Sequence, residues 1–228
     1  MGNTAWEKYD DAQLGMVEIT ARHYKEFLDA GKTERECVRE AIRMAELADY
    51  VNLQDVLDGK VPMQSKVYAV MMDKSVALFH LGNVPLEQGM QIVAAHVDSP
   101  RLDLKQHPLY EETGMAYMDT HYYGGIKKYQ WVTLPLAIHG VVIRKDGTKL
   151  DIVIGEHEDD PVIGVTDLLV HLAGEQLEKT GSKVIEGEAL ALLVGNQPLK
   201  NEEKDAVKAN VLKLLHQKYG IEEANRRI

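Results

Sequence analysis

Hydrophobic and polar positions in the first part of the chain predict two helices followed by a β-hairpin. The first helix is expected over residues 4–30, before Gly31, and it starts with the Ser/Thr-x-x-Glu spacing of a capping box. The same spacing recurs in Thr33 and Glu36 at the start of the second helix. The second helix carries an apolar face made of Val38, Ala41, Ile42, Ala45 and Ala48. Apolar runs at residues 67–72 and 76–81, separated by a short turn, predict the hairpin.

A further apolar run, residues 92–95, ends in the ionisable pair His96 and Asp98 and then in Ser99-Pro100, which stops a strand. Such a run predicts a fully buried central strand of an α/β sheet. Ligands bind beyond the carboxyl ends of such strands, and side chains two residues apart share one face, so both side chains are expected in one cleft. The pair suits a metal-binding imidazole oriented by a carboxylate. The spacing is also compatible with a histidine that Asp98 holds for structural reasons.

The pattern changes after Lys105, and a domain boundary is predicted near residues 102–107. Pro108, Gly114 and the Gly124-Gly125 pair predict a loop-rich stretch. The remaining predicted elements are strands at residues 134–143, 149–154 and 190–194, and helices at residues 166–179 and 205–219. The acidic cluster at residues 156–160 surrounds a histidine and precedes a proline, which favours a solvated loop over a cation site.

Two longer motifs resemble those of a known family. The stretch His96-Val97-Asp98-Ser99-Pro100, continuing as Arg101-Leu102-Asp103-Leu104-Lys105, resembles the first metal motif of the aspartyl aminopeptidase and vacuolar aminopeptidase I family. The second motif resembles the Tyr-Gly-Gly loop of bacterial members and reads His121-Tyr122-Tyr123-Gly124-Gly125-Ile126-Lys127-Lys128-Tyr129-Gln130-Trp131. The resemblance implies an α/β fold in two parts. Residues 1–104 would begin the α/β metallopeptidase domain, and residues 105–228 would form an inserted β-rich, α+β dimerisation domain.

The resemblance also implies a chemistry and a set of roles. Members of the family remove N-terminal residues from peptides by means of a water activated by two metal ions, usually zinc, with Co²⁺ or Mn²⁺ as alternatives. His96 would be a metal ligand, and Asp98 would orient its imidazole as part of the catalytic site. His171, four residues after Asp167 on the predicted helix, would reach across a dimer contact and bind substrate in the neighbouring active site.

The resemblance reaches only the N-terminal half of such an enzyme. The bridging aspartate, the catalytic glutamate and the later ligands of the family are not found after the inserted domain. The chain is therefore expected to be a truncated metalloaminopeptidase that is inactive alone. The alternative is a non-catalytic oligomerising protein that retains the dimerisation domain. A third interpretation is a different metalloenzyme that uses His96, Asp98 and the cluster at residues 156–160.

Net charge, apolar run length and cysteine count limit the classes of partner and the compartment expected for this chain. A formal net charge of −10 argues against nucleic acid and against an anionic membrane surface. No apolar run approaches the length of a membrane span. Cys37 is the single cysteine, so one chain cannot form an internal disulfide, and a reducing cytoplasm is the expected compartment. The expected partners are a peptide substrate and further copies of the chain in a homo-oligomer.

Overall fold

The computed structural model describes residues 4–221, which form two compact units with mixed α/β content. Within the described residues, unit 1 ends at Ser99 and unit 2 begins at Pro100. The strands form one three-stranded sheet in unit 1, and a three-stranded and a two-stranded sheet in unit 2. The chain is therefore α/β in class, as predicted, with small sheets. The assignment of residues 1–104 and 105–228 to a peptidase and a dimerisation domain stays a prediction.

Two helices open unit 1: α1, Asp11–Ala30, and α2, Glu34–Leu47. The predicted start of the first helix at Thr4 is wrong, because the capping box is formed by Asp10 and Gln13. Thr4 precedes a short 3-10 helix, and its side chain caps nothing there. The capping box of Thr33 and Glu36 is confirmed at the start of α2. The apolar face of α2 buries Cys37, Val38 and Ala45.

The sheet of unit 1 has the order β1-β2-β3. The strands and the short helix between them are β1, Val51–Asn52, α3, Leu53–Leu57, β2, Lys66–Met71, and β3, Ser75–His80. β1 pairs with β2 in parallel, and β2 with β3 forms the predicted antiparallel hairpin. The Tyr68 hydroxyl of β2 donates a hydrogen bond of 2.8 Å to Glu46 of α2. Burial and the nearby Glu46 carboxylate together raise the pKa of Tyr68 to about 12, so the phenol stays protonated and keeps this link between sheet and helix.

The predicted central strand at residues 92–95 is wrong. Residues 89–100 have no regular secondary structure, and Ile92 and Val93 are 79% and 99% exposed. An apolar run specifies the side chains of a buried strand but not the neighbours that must hydrogen-bond to its backbone. Among residues 4–221 no strand pairs with this segment, so the run remains irregular and exposed.

Unit 2 is built on a long hairpin that the sequence analysis missed. It consists of β4, Arg101–Glu112, and β5, Met115–Tyr123, joined by Thr113 and Gly114, whose φ angles of 52° and 74° suit a tight two-residue turn. The glycine and proline here do not mark a loop, because Gly114 forms the turn itself. Pro108 lies in the stretch where the pairing register shifts between Leu104 and Leu109, a position at which a strand tolerates proline.

The rest of unit 2 follows the prediction in part. The remaining elements are β6, Ile138–Ile143, β7, Lys149–Ile154, α4, Gly174–Leu177, β8, Leu192–Gly195, and α5, Ala206–Tyr219. The β6–β7 hairpin and β8, which pairs with β5, are confirmed. α5 is confirmed as well and ends at Gly220 in the left-handed conformation. The predicted helix over residues 166–179 shrinks to the four residues of α4. Its apolar side chains before residue 173 are exposed, so no packing against a core stabilises a longer helix there.

The core of unit 2 lies around Leu190, which is 1% exposed. The Thr120 hydroxyl, also buried, donates a hydrogen bond of 2.6 Å to the Leu190 carbonyl. The other buried members of this cluster are Leu109, Ala116, Met118, Val132, Val165, Ile185, Leu192 and Val207. The sheet β4-β5-β8 and helix α5 thus share one hydrophobic core.

Three polar contacts fix the end of α5 to the rest of unit 2. Lys218 Nζ lies 2.6 Å from Asp160, and Arg144 donates a hydrogen bond of 2.7 Å to the Tyr219 carbonyl. The Tyr219 hydroxyl donates one of 2.6 Å to the Val153 carbonyl on β7. Asp160 also accepts backbone N–H bonds from residues 155 and 157, so this carboxylate is held from both sides.

We expect Asp160→Asn to destabilise the protein near neutral pH and to lose that effect in acid. The Lys218 ammonium and the backbone N–H donors lower the pKa of Asp160 from 3.8 to about 2. Because the pKa is lower in the folded state, the ionised Asp160 carboxylate contributes its full stabilisation above about pH 3.8. This stabilisation disappears as the pH falls towards about 2. Melting temperatures measured across this range should therefore differ between the two proteins at neutral pH and converge in acid. Asp159→Asn, a change at the exposed neighbouring carboxylate, is the control, and an equal pH dependence for both variants would contradict the assignment.

Candidate metal centre

The candidate metal ligand, His96, is oriented by its own neighbour. His96 Nδ1 lies 2.8 Å from the Asp98 carbonyl oxygen and 3.2 Å from the Asp98 carboxylate. A carbonyl oxygen and a carboxylate oxygen both accept, so this geometry suits a proton on Nδ1; in the neutral imidazole the lone pair is then on Nε2. The side chain of His96 is 81% exposed, so Nε2 is accessible. The pair therefore has the arrangement of a ligating imidazole whose second nitrogen is held by a carboxylate and a carbonyl.

A complete zinc site requires more ligands than this pair supplies. Zinc is held by four ligands in structural sites, and by three protein ligands plus water in catalytic ones. Within residues 4–221 no group of three or more His, Cys, Asp or Glu side chains is arranged to hold a metal ion. The described residues thus offer one candidate ligand, His96, and do not by themselves fit a zinc ion.

The acidic cluster at residues 156–160 is engaged in contacts within unit 2. Glu156 lies 2.9 Å from His139 Nε2 on β6, and Asp160 pairs with Lys218. Residues 156–159 are exposed and form neither helix nor strand, which agrees with the predicted solvated loop. Within residues 4–221 these side chains do not form a group of three or more His, Cys, Asp or Glu arranged to hold a metal ion.

The hairpin β4–β5 brings together two motif stretches that the sequence analysis treated separately. Arg101 pairs with Tyr123 in the register, and its guanidinium lies 4.4 Å from the centre of the Tyr123 ring. Arg101 Nε also donates a hydrogen bond of 2.7 Å to Asp103. Gly124, with φ of 75°, follows at the end of β5, and a Cβ there would lie 3.4 Å from Pro100. Pro100 and Arg101 therefore lie beside Tyr123 and Gly124 of the Tyr-Gly-Gly loop within unit 2.

These neighbouring residues were missed although the sequence carried a signal for the pairing. Ala116, Met118 and Thr120 alternate as buried positions along β5, and they face the core as in a half-buried strand. The Thr113-Gly114 turn lies immediately before this alternation. The period-two pattern from residue 115 is the signal that predicts β5, with β4 as its partner across the turn.

His171 lies in an exposed turn of unit 2, and the predicted helix face shared with Asp167 is wrong. Asp167 instead accepts hydrogen bonds from the Leu168 N–H and from Gln176. The side chains around His171 form an apolar surface, and those exposed by 54–71% are Leu168, Leu169, Val170, Leu172 and Leu177. Contiguous apolar side chains in water are typical of an interaction surface. His96 and Asp98 belong to unit 1, whereas His171 belongs to unit 2.

No helix within the described residues is long and apolar enough to cross a membrane.

Comparison with known proteins gives matches along most of the chain. The family model described as aminopeptidase I zinc metalloprotease (M18) matches residues 27–226. A probable M18 family aminopeptidase 1 from Clostridium acetobutylicum is 55% identical over 222 residues, which are 96% of this chain and 48% of the relative. The chain spans about half the length of the curated relatives it matches.

Solved structures agree with the sequence matches. An M18 aminopeptidase from Thermotoga maritima superposes on this chain with a TM-score of 0.88 at 40% identity. The aligned region covers 99% of this chain and 48% of the Thermotoga maritima chain. Aminopeptidase I from Clostridium acetobutylicum gives a TM-score of 0.83 at 54% identity over 98% of this chain and 50% of its own. The dodecamer of S. cerevisiae mApe1 shares the fold, with a TM-score of 0.60 at 18% identity, and covers 89% of this chain and 45% of its own.

Proposed function

The chain belongs to the M18 family of aminopeptidase I zinc metalloproteases, and on this premise we propose that it forms part of a metal-dependent aminopeptidase that removes N-terminal residues from peptides. The observation that carries the proposal is the His96–Asp98 pair, in which Nδ1 is held and Nε2 is presented to solvent. The related proteins are named aminopeptidases, which does not favour the alternative of a non-catalytic oligomerising protein.

Zinc is the proposed metal, since the family is described as a zinc metalloprotease. His96 would bind it through Nε2, and Asp98 would keep the imidazole in the required tautomer and orientation. We propose two ions per complete site, with Co²⁺ or Mn²⁺ as alternatives. The described residues contribute a single ligand, so the complete site requires further ligands from outside them.

The proposed working form is a homo-oligomer in which unit 2 supplies the dimer contact. The apolar surface around His171 would be covered by a second copy, since exposed leucine and valine side chains gain free energy on burial. His171 would then contact substrate in the active site of the neighbouring copy. The dodecameric structure of mApe1 supports assembly in this fold. The proposed compartment is the cytoplasm, and Cys37 as a buried free thiol agrees with it.

The test compares the chain with a chimera. The chimera joins this chain to the part of the Clostridium acetobutylicum aminopeptidase that lies beyond the matched region. Native mass spectrometry with and without Zn²⁺, together with hydrolysis of aminoacyl substrates, should show an oligomer for both proteins. Tightly bound zinc and turnover are expected for the chimera only, because residues 4–221 offer one candidate ligand.

Two results would contradict this proposal. Metal-dependent turnover by the pure chain would mean that it holds ligands which the described structure does not bring together. A folded, oligomeric chimera without zinc and without turnover would contradict the aminopeptidase function itself.

A further inference from the structure

An open hollow on unit 2, which we call the lysine hollow, brings together three lysine side chains. Lys128 comes from the Tyr-Gly-Gly loop, whereas Lys179 and Lys183 follow α4 about fifty residues later. The hollow has a volume of about 400 Å³. Its other lining residues are Ser182, Ile185, Glu186 and Gly187. Because the formal charge of the chain is −10, this local excess of positive charge is not a general property of its surface.

The floor and one side of the lysine hollow are fixed by packing. Ile185 is 6% exposed and belongs to the core of unit 2. The next side chain, Tyr122, packs so closely against Gly187 that a Cβ there would lie 2.8 Å from a ring carbon. Lys128 Nζ lies 5.5 Å from the centre of the same ring, within range of a cation–π contact. The tyrosine ring thus holds the Lys128 ammonium beside the hollow without neutralising its charge.

A tight turn presents two further donors at the hollow. The backbone N–H groups of Lys183 and Val184 donate hydrogen bonds of 2.8 Å and 3.0 Å to the Thr180 carbonyl. The Thr180 hydroxyl lies 3.3 Å from the hydroxyl of Ser182. These contacts fix the backbone that carries the Ser182 hydroxyl and the Lys183 ammonium. Hydroxyl and ammonium groups both donate to phosphate oxygens, and a bond from an ammonium is the stronger of the two.

Glu186 shows that the hollow stabilises negative charge. Its carboxylate lies 3.0 Å from Lys179 Nζ. This hydrogen bond with Lys179 lowers the pKa of Glu186, and the charges of Lys179 and Lys128 act in the same direction. Within residues 4–221 neither Lys128 nor Lys183 forms an ion pair with a carboxylate. The positive charge of the hollow therefore exceeds what Glu186 neutralises.

We propose that the lysine hollow binds the phosphate group of a small ligand, either as inorganic phosphate or as a phosphate monoester. Three lysines and one glutamate give the hollow a formal charge of +2, which matches a phosphate dianion. A single carboxylate would neutralise only part of this charge. All the lining residues belong to unit 2, so the site is separate from the candidate metal ligand in unit 1. Its test therefore needs neither zinc nor turnover.

The experiment is isothermal titration of the zinc-free chain at about pH 8, where phosphate is mainly a dianion. Inorganic phosphate and O-phosphoserine are titrated separately, with the ionic strength held constant by sodium chloride. We expect saturable binding of one phosphate group per chain. Tighter binding of inorganic phosphate would support the free ion as the ligand, and tighter binding of O-phosphoserine would support a monoester. Hydrogen exchange at residues 180–187 should slow at least about twofold at saturation.

Glu186→Gln should strengthen phosphate binding by about two- to fivefold, because it removes a competing charge and releases Lys179. Glu188→Gln is the matched control. Glu188 pairs with Lys105 and does not line the hollow, so the same change of charge should leave the affinity almost unaltered. A pair of lysine variants gives the opposite test. Lys183→Ala should weaken binding by about two- to fivefold, whereas Lys145→Ala, at an exposed lysine between β6 and β7, should not.

Three results would overturn the inference. The first is the absence of saturable binding at constant ionic strength. The second is an equal effect of the two variants in either pair, which would show that overall charge and not the lysine hollow attracts the anion. The third is binding without slower exchange at residues 180–187, which would place the phosphate elsewhere. All four variants change exposed side chains, so their melting temperatures without phosphate should match that of the unaltered chain.

Discussion

Replacement of His96 by alanine in the chimera is expected to reduce kcat/KM by more than about 100-fold and to lower the amount of bound zinc. Loss of a residue that only orients a metal ligand costs about 10- to 100-fold in affinity or activity, and loss of the ligand itself costs more. His96 is 81% exposed in unit 1, so its removal should leave the melting temperature of the chain unchanged. The measurement combines steady-state kinetics with zinc analysis of the purified variant.

Two companion variants separate ligation from orientation. Asp98→Asn keeps the size of the side chain but removes its charge, so it should reduce activity by about 10- to 100-fold, less than the loss of His96. His23→Ala removes an exposed histidine from α1 and should have no effect on zinc or turnover. An H96A chimera with full zinc content and full activity would show that His96 is not a ligand.

Truncation of Leu190 to alanine is expected to lower the free energy of unfolding of unit 2 by roughly 2–5 kcal/mol. Leu190 is 1% exposed and lies in the cluster that joins β4, β5 and β8 to α5. The change removes side-chain contacts but leaves the carbonyl that accepts the Thr120 hydrogen bond. Urea unfolding followed by the fluorescence of Trp131, which packs against this cluster, measures the loss.

The control for this change is Leu214→Ala. Leu214 on α5 is 54% exposed and is not a member of this cluster, so its truncation should alter the free energy of unfolding by no more than about 0.5 kcal/mol. A loss below about 1 kcal/mol for Leu190→Ala would mean that the site collapses around the smaller side chain or that the cluster is not the core.

The features that could be predicted from the sequence are those set by neighbours along the chain. The capping box of Thr33 and Glu36, the β2–β3 hairpin and the end of α5 at Gly220 are all local, and the structure confirms them. The contact of His96 with Asp98 is equally local, since the two residues are separated by one position. The role of this pair in metal binding stays a prediction.

The features that escaped prediction depend on pairing and burial across longer distances. Residues 92–95 have the composition of a strand, but no partner strand is provided within the described chain. The apolar residues before α4 lack a core to pack against, so the helical pattern is not realised. In the β4–β5 hairpin the prediction of a loop-rich stretch was wrong. Gly114 belongs to the two-residue turn, and Pro108 lies where the pairing register shifts.

The tight turn at Thr113-Gly114 has a consequence for the order in which unit 2 forms. Strands β4 and β5 pair around a two-residue loop, so bringing them together costs little conformational entropy. This pairing can occur within microseconds. β8 joins the other side of β5 only after the chain between Tyr123 and Leu192 has been brought back, which makes its addition slower. The Gly-Gly loop and the residues after His96 are therefore placed side by side early, before the sheet and its core are complete.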